Sequence, residues 1–186
     1  NHMNYKFSKI YHFIKEFKEK DITNLDPKID IIYRNYKSKI NLNQIKKIKI
    51  FCKKNNRKFF LANNINLAYQ LNLDGAYIPS FNRSLRHNNF PKRKKFLILG
   101  SAHNEIDINI KNKQKCDLLF ISPIFQIKKN SRNLKLFNFQ RLTKFSNKRT
   151  IALGGINETN INKLRLIKVF GFASISYIKK NRPRFL

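Results

Sequence analysis

Short apolar runs recur along this chain with amphipathic stretches between them, and that alternation predicts its architecture. Runs rich in β-branched and aromatic residues fall at 9–14, 29–34, 58–62, 75–78, 96–100, 118–122, 149–153 and 171–175. Each reads as a strand. Those at 29–34 and 118–122 are nearly continuous in apolar residues, as expected of parallel strands covered on both faces. Leu42, Ile45, Ile48 and Cys52 fall on one side of a helix, while Lys46, Lys47, Lys49 and Lys53 fall mostly elsewhere. Ile161, Leu164 and Ile167 repeat that apolar spacing and read as a later helix. Strands alternating with helices imply βα units and a parallel sheet. Eight such runs in one domain favour a compact (β/α)8 TIM barrel over a doubly wound sheet. Residues 15–28 leave room only for a reduced first helix, and residues 177–186 read as a short final helix that breaks at Pro183.

The length of 186 residues fits a single domain over 4–186, with Asn1, His2 and Met3 reading as an expression-tag remnant. No apolar run approaches a membrane span and no secretory pattern follows the N-terminus, so a cytoplasmic protein is expected. Cys52 and Cys116 lack metal-ligand spacing and read as reduced core residues. Charge changes the picture more. Forty Lys and Arg against ten Asp and Glu give a net charge of +30, which attracts polyanions. The lysines are spread along the whole chain and accompany abundant Asn, Ile and Phe, a pattern that A/T-rich coding produces. A specific nucleic-acid partner is therefore not the expectation. The densest charge run, 92–95, reads as a solvated loop before the fifth strand.

In such a barrel, chemistry gathers at the C-terminal ends of the strands. Those positions carry Arg34, Asn63, Asn64, Ser80, Asn82, Ser101, His103, Ser122, Gly154, Gly155 and Ser176. This is a ring of neutral donors with one fixed cation and no carboxylate. It suits a phosphate-bearing ligand and suits magnesium poorly, since magnesium favours carboxylate oxygens. In "TIALGGINETNI", residues 150–161, Gly154 and Gly155 follow a strand end, and Asn157 offers an oxygen to cap a following helix. In isolation the glycines read first as a tight turn needing positive φ. Their place after the seventh strand, with Ser176 after the eighth, is where barrels commonly build a phosphate site. A phosphate cup is the expectation.

From position 29 to position 176 the sequence resembles thiamine phosphate synthase and its thiazole-tautomerase relatives. "IIYRN" resembles that family's Gln-x-Arg strand end, with Arg34 on the Arg. "LANNINLAYQLNLDGAYI" resembles the stretch in which Asn-Asp opens a helix and Asp-Gly-Val-His follows. "ILGSAHN" resembles Gly-x-Ser-x-His, "CDLLFISPIF" the Asp-Tyr-x-x-x-Gly-Pro-x-Phe strand, "TIALGGIN" the Ala-Ile-Gly-Gly-Ile segment, and "GFASISYI" the closing strand. All five glycines fall on aligned positions.

The resemblance implies a magnesium-assisted enzyme in which a pyrimidine pyrophosphate loses diphosphate and a thiazole phosphate captures the resulting cation. It implies small phosphorylated substrates, with Gly154, Gly155, Ile175 and Ser176 on the thiazole phosphate and Arg34 and Ser101 as catalytic residues on the pyrophosphate. Asn63, Asn64, Asn82, His103, Lys128 and Lys129 complete the substrate-binding candidates. His103 matches a position common to both branches and reads first as structural. The chain departs from the family pattern at the metal. Asn63 or Asn64 stands at the first metal Asp and Asn82 at the second. Ile32 replaces the Gln, Tyr36 the Lys (Lys37 adjoins), and Ile127, Lys128, Lys129 and Asn130 the Thr-x-Thr-Lys loop. Pro123 stands where the tautomerase has its His, which favours the synthase branch. Two functions follow: a synthase with a rearranged metal site, or a barrel that binds a thiazole or thiamine phosphate without the metal-assisted reaction. A charge-driven nucleic-acid binder is the third. Oligomeric state is not legible.

Overall fold

The structure is a computed structural model that describes residues 7–36, 39–89, 91, 93–129 and 131–181. Lys37, Lys92, Asn130, Pro183 and the residues read as a tag remnant lie outside the described residues. Eight parallel strands form a closed barrel in chain order. They are β1 (Lys9–Ile14), β2 (Ile29–Tyr33), β3 (Phe59–Ala62), β4 (Gly75–Ile78), β5 (Leu97–Ala102), β6 (Leu118–Ile121), β7 (Thr150–Leu153) and β8 (Gly171–Ser174). β8 closes on β1 with Gly171 opposite Lys9. The (β/α)8 barrel read from the alternation of apolar runs is the fold observed.

Among the described residues six α-helices accompany the strands: α1 (Glu19–Thr23), α2 (Leu42–Lys54), α3 (Ile65–Gln70), α4 (Glu105–Lys113), α5 (Lys135–Ser146) and α6 (Ser176–Asn181). The reduced first helix and the short final one are both present. On α2 the buried face is Ile45, Ile48, Phe51 and Cys52, displaced toward the helix C-terminus, and Leu42 at its start stays exposed. Two connections use 3-10 turns instead of α-helices, Arg86–Asn89 and Ile161–Leu166. The helix expected after Gly155 is thus a 3-10 helix. Ile161, Leu164 and Ile167 recur every three residues, which is the repeat of a 3-10 helix rather than of an α-helix. Asn157 caps no α-helix there; its Oδ1 accepts from the backbone N–H groups of Thr159 and Asn160 in a turn.

Inside the barrel, Tyr11, Phe13, Phe60, Tyr77 and Phe120 pack with Ile32, Leu99, Leu118, Ile151 and Ala173. The rings meet edge to face or tilted, with Tyr11–Phe120 centroids at 5.1 Å and Phe13–Tyr77 at 5.2 Å. Such contacts suit the ring quadrupole. The second apolar layer lies between strands and helices, where Ile31, Ile48, Ile108, Phe139 and Leu164 are buried. Cys52 and Cys116 are free and buried, and burial pushes the Cys52 thiol up to about 12. Among the described residues no helix is long and apolar enough to cross a membrane.

Arg57 ties the α1–β2 connection to β3. Its guanidinium is 5% exposed and donates to the carbonyls of Asp26 (2.5 Å), Leu25 (2.5 Å) and Ile29 (3.0 Å). Each acceptor stranded in the interior costs about 1–3 kcal/mol. The Arg57→Met variant is expected to lose about 3 kcal/mol or more by that reasoning, read as a shift in the urea midpoint. A midpoint within error of wild type would show that water replaces these bonds without cost.

Candidate functional site

The aromatic interior forms the floor of the barrel mouth. Arg34, one residue past β2, donates its backbone N–H to Ile14 O at 2.8 Å. Its guanidinium lies over the Phe13 ring, 4.5 Å from the centroid, and makes no ion pair among the described residues. Stacking therefore holds the cation while leaving its N–H donors for a ligand. Ser101 on β5 is buried, as is Tyr77, whose hydroxyl burial holds above its ordinary pKa. Ser101 thus belongs to the floor rather than to the cavity wall.

Across the mouth, Gly154 and Gly155 have φ values of 95° and 69°, the left-handed region in which a side chain is strained. Space also requires glycine. A Cβ on Gly154 would lie 2.8 Å from Pro123 Cβ, and one on Gly155 2.4 Å from Phe125 O. The chain leaving β6 packs directly on this turn, and the Phe125 N–H donates to Gly154 O at 3.1 Å. Asn160 Nδ2 donates to Gly155 O at 2.8 Å, while no acceptor among the described residues takes the Gly155 N–H. Beside this turn, Ile175 is 40% exposed and Ser176 opens α6, its hydroxyl without a partner among the described residues. The glycines, Ile175 and Ser176 line one cavity of about 410 Å³ together with Arg34, His103 and Ser122. A donor-rich concavity with a fixed cation can hold a phosphate ester.

His103 borders the same cavity with a fixed ring. Its Nδ1 lies 2.7 Å from Ser122 O and 3.2 Å from Ser122 Oγ. A carbonyl partner requires Nδ1 to donate, so in the neutral ring Nε2 is left as an acceptor. The His103 backbone N–H donates to Asp107 at 3.0 Å, and Asn104 caps α4 by accepting from the Asp107 N–H.

The three asparagines gather elsewhere, in a pocket of about 170 Å³ that Ser84 and Arg86 also line. Asn63 ends β3 with φ 61° and donates its backbone N–H to Tyr77 O at 2.8 Å. Asn82 Nδ2 donates to Asn63 Oδ1 at 2.7 Å, and Asn82 Oδ1 accepts from the Ser84 N–H at 2.9 Å. Asn64 caps α3, its Oδ1 accepting from the Leu67 N–H at 3.0 Å. All three amide oxygens are therefore engaged, and none carries charge. No group of three or more His, Cys, Asp or Glu residues converges among the described residues. Magnesium wants hard, mostly anionic oxygens in an octahedron. These residues do not fit it.

Lysine enters the site region in two ways. Lys128 and Lys129 are exposed on the loop after β6, whose backbone N–H groups at Ile127 and Lys128 donate to Ser131 Oγ. Lys111 on α4 is fully buried, a placement that its surroundings of Lys113 and Lys115 conceal in the sequence. Its Nζ donates to Pro79 O and Asn82 O at 2.8 Å and to Gln114 Oε1 at 2.9 Å, pinning the loop that carries Asn82. Burial lowers its pKa to about 8, while these acceptors use all three ammonium protons. Gly100 was the available signal, because a Cβ there would lie 3.0 Å from Lys111 Cδ. Tyr36, at the family's Lys position, is exposed and its ring meets that of exposed Phe81 at 5.4 Å, a contact the sequence did not show.

Known proteins share this barrel. A family model described as thiamine monophosphate synthase matches residues 25–178. A thiamine-phosphate synthase of Prochlorococcus marinus is 32% identical over 146 residues, covering 75% of this chain and 40% of the relative. The chain therefore spans about two fifths of that relative's length. A thiamine-phosphate synthase of Pelagibacter ubique is 29% identical over 165 residues, covering 83% of this chain and 77% of its own. Among solved structures, a thiamine phosphate pyrophosphorylase from Pyrococcus furiosus has a TM-score of 0.73 at 15% identity, covering 95% of this chain and 93% of that one. The 3-hexulose-6-phosphate synthase of Salmonella typhimurium has a TM-score of 0.66 at 13% identity, covering 91% and 90%. Identities this low speak to the barrel alone, whereas the family match runs from before β2 into α6: the chain belongs to the thiamine monophosphate synthase family.

Proposed function

We propose that this chain acts in thiamine biosynthesis, joining a pyrimidine pyrophosphate to a thiazole phosphate with release of diphosphate. The observation that carries the reading is the single cavity shared by Gly154, Gly155 and Ser176 on one side and Arg34 on the other. The open Gly155 N–H and the Ser176 hydroxyl take the thiazole phosphate. The Arg34 guanidinium, stacked on Phe13, faces the diphosphate. The bond between the pyrimidine methylene and the diphosphate oxygen breaks, and its electron pair leaves with the diphosphate. The thiazole nitrogen lone pair then forms the new C–N bond. Arg34 favours the step because charge accumulates on the leaving oxygen as the bond opens.

A second reading, a barrel that binds the thiazole or thiamine phosphate without this reaction, is favoured by neutral amides, Asn63 or Asn64 and Asn82, where the resemblance implies metal carboxylates, with Asn82 bonded to Asn63. Incubating the purified protein with both substrates separates the two. The synthase reading expects thiamine phosphate and diphosphate in equal amounts. Tight thiazole phosphate binding with no product supports the binding barrel, and no binding of any of these phosphates overturns both.

Two substitutions probe the cavity. Ser176→Ala is expected to weaken thiazole phosphate binding about fivefold, the worth of one hydrogen bond near 1 kcal/mol. Arg34→Gln is expected to lower kcat/KM by about 10- to 100-fold, the range for a charge-assisted bond of 1.5–3 kcal/mol. Calorimetry checks the first and steady-state kinetics the second. Unchanged values would remove Ser176 or Arg34 from the site.

A further inference from the structure

The amide pair poses a question that the family match does not answer. Where the resemblance puts two carboxylates on a divalent cation, this chain has Asn63 or Asn64 and Asn82; Asn82 donates to Asn63, and Asn64 accepts from the Leu67 N–H. The remaining amide oxygen is taken by the Ser84 N–H. We infer that this chain takes up the diphosphate end of its ligand directly on the Arg34 guanidinium, with no divalent metal between protein and ligand. The inference rests on the synthase reading only for the identity of the anion.

Three observations support it. The first is the donor set, which offers neutral and engaged oxygens where a magnesium ion needs free anionic ones. The second is the buried ammonium beneath the same loop. Lys111 Nζ bonds the backbone carbonyl of Asn82 itself at 2.8 Å, and Arg86 lines the pocket above. Two cationic side chains beside the amide pair, with no carboxylate lining the pocket, disfavour a divalent cation there by Coulomb repulsion. The third is the state of Arg34, held over Phe13 and without an ion pair among the described residues. A planar guanidinium with its donors unspent matches two diphosphate oxygens bidentately. The charge that a metal would otherwise neutralise is met by fixed protein cations on a chain of net charge +30.

The test is calorimetric titration of the intact protein with inorganic diphosphate at physiological salt, once with a metal chelator and once with excess magnesium. Salt matters, because so basic a surface binds any polyanion weakly when it is dilute. The expected result is one saturable site in chelator, no tighter with magnesium, and weakened at least tenfold by Arg34→Gln. Arg34→Lys is expected to keep part of the affinity, and circular dichroism checks that both variants fold. Binding at least tenfold tighter with magnesium, no saturable site in chelator, or an unaffected Arg34→Gln variant would each overturn the inference. Thiazole phosphate is titrated in parallel. A protein that binds it and makes thiamine phosphate, yet takes diphosphate only with magnesium, overturns this inference alone. One that binds neither overturns the synthase reading as well.

Discussion

The filling of the barrel interior by aromatic rings is the constraint on which the rest depends. Eight short strands enclose a space that only side chains can fill. Tyr11, Phe13, Phe60, Tyr77 and Phe120 fill it through contacts such as Tyr77–Phe120 at 5.4 Å. The upper members of this set then decide what stands in the mouth. Phe13 supports the Arg34 guanidinium, and Tyr77 and Ser101 are both buried in the floor. The cavity at the mouth is lined by the cation and the glycine turn and not by the aromatic centre of the barrel.

The mouth is electrostatically lopsided. One side offers the open Gly155 N–H, the Ser176 hydroxyl and a fixed imidazole, and Arg34 completes that cavity. The other side has amides paired to each other above a buried ammonium. Family membership and local chemistry diverge there. The glycine turn, Ile175 and Ser176 match the residues that the family resemblance describes, whereas Asn63, Asn64 and Asn82 offer neutral oxygens where it describes carboxylates, with Lys111 and Arg86 close by.

Much of the fold was legible because strand period and turn chemistry are local. Each expected strand is present, with ends shifted by no more than a residue or two, since continuous apolar runs between turns leave few alternatives. The segment after Gly155 misled because three apolar residues at a spacing of three serve a 3-10 helix as well as an α-helix. The glycine turn and Arg34 were legible from their places at strand ends. Lys111 was not read, because its burial shows only through the missing side chain of Gly100 on β5, the strand before its helix. The separation of the asparagine pocket from the main cavity was equally hidden. Sequence puts Asn63, Asn82 and Arg34 on one ring of strand ends, and only the Asn82–Asn63 bond shows that the amides satisfy one another.

The central claim is that the turn at Gly154 and Gly155, with Ser176, is a phosphate cup facing Arg34. A crystal structure with thiazole phosphate bound tests it most directly. The account predicts the phosphate within hydrogen-bonding distance of the Gly155 N–H and the Ser176 hydroxyl, with the ring directed toward Arg34. A phosphate seated among surface lysines, with the cup holding only water, would contradict it.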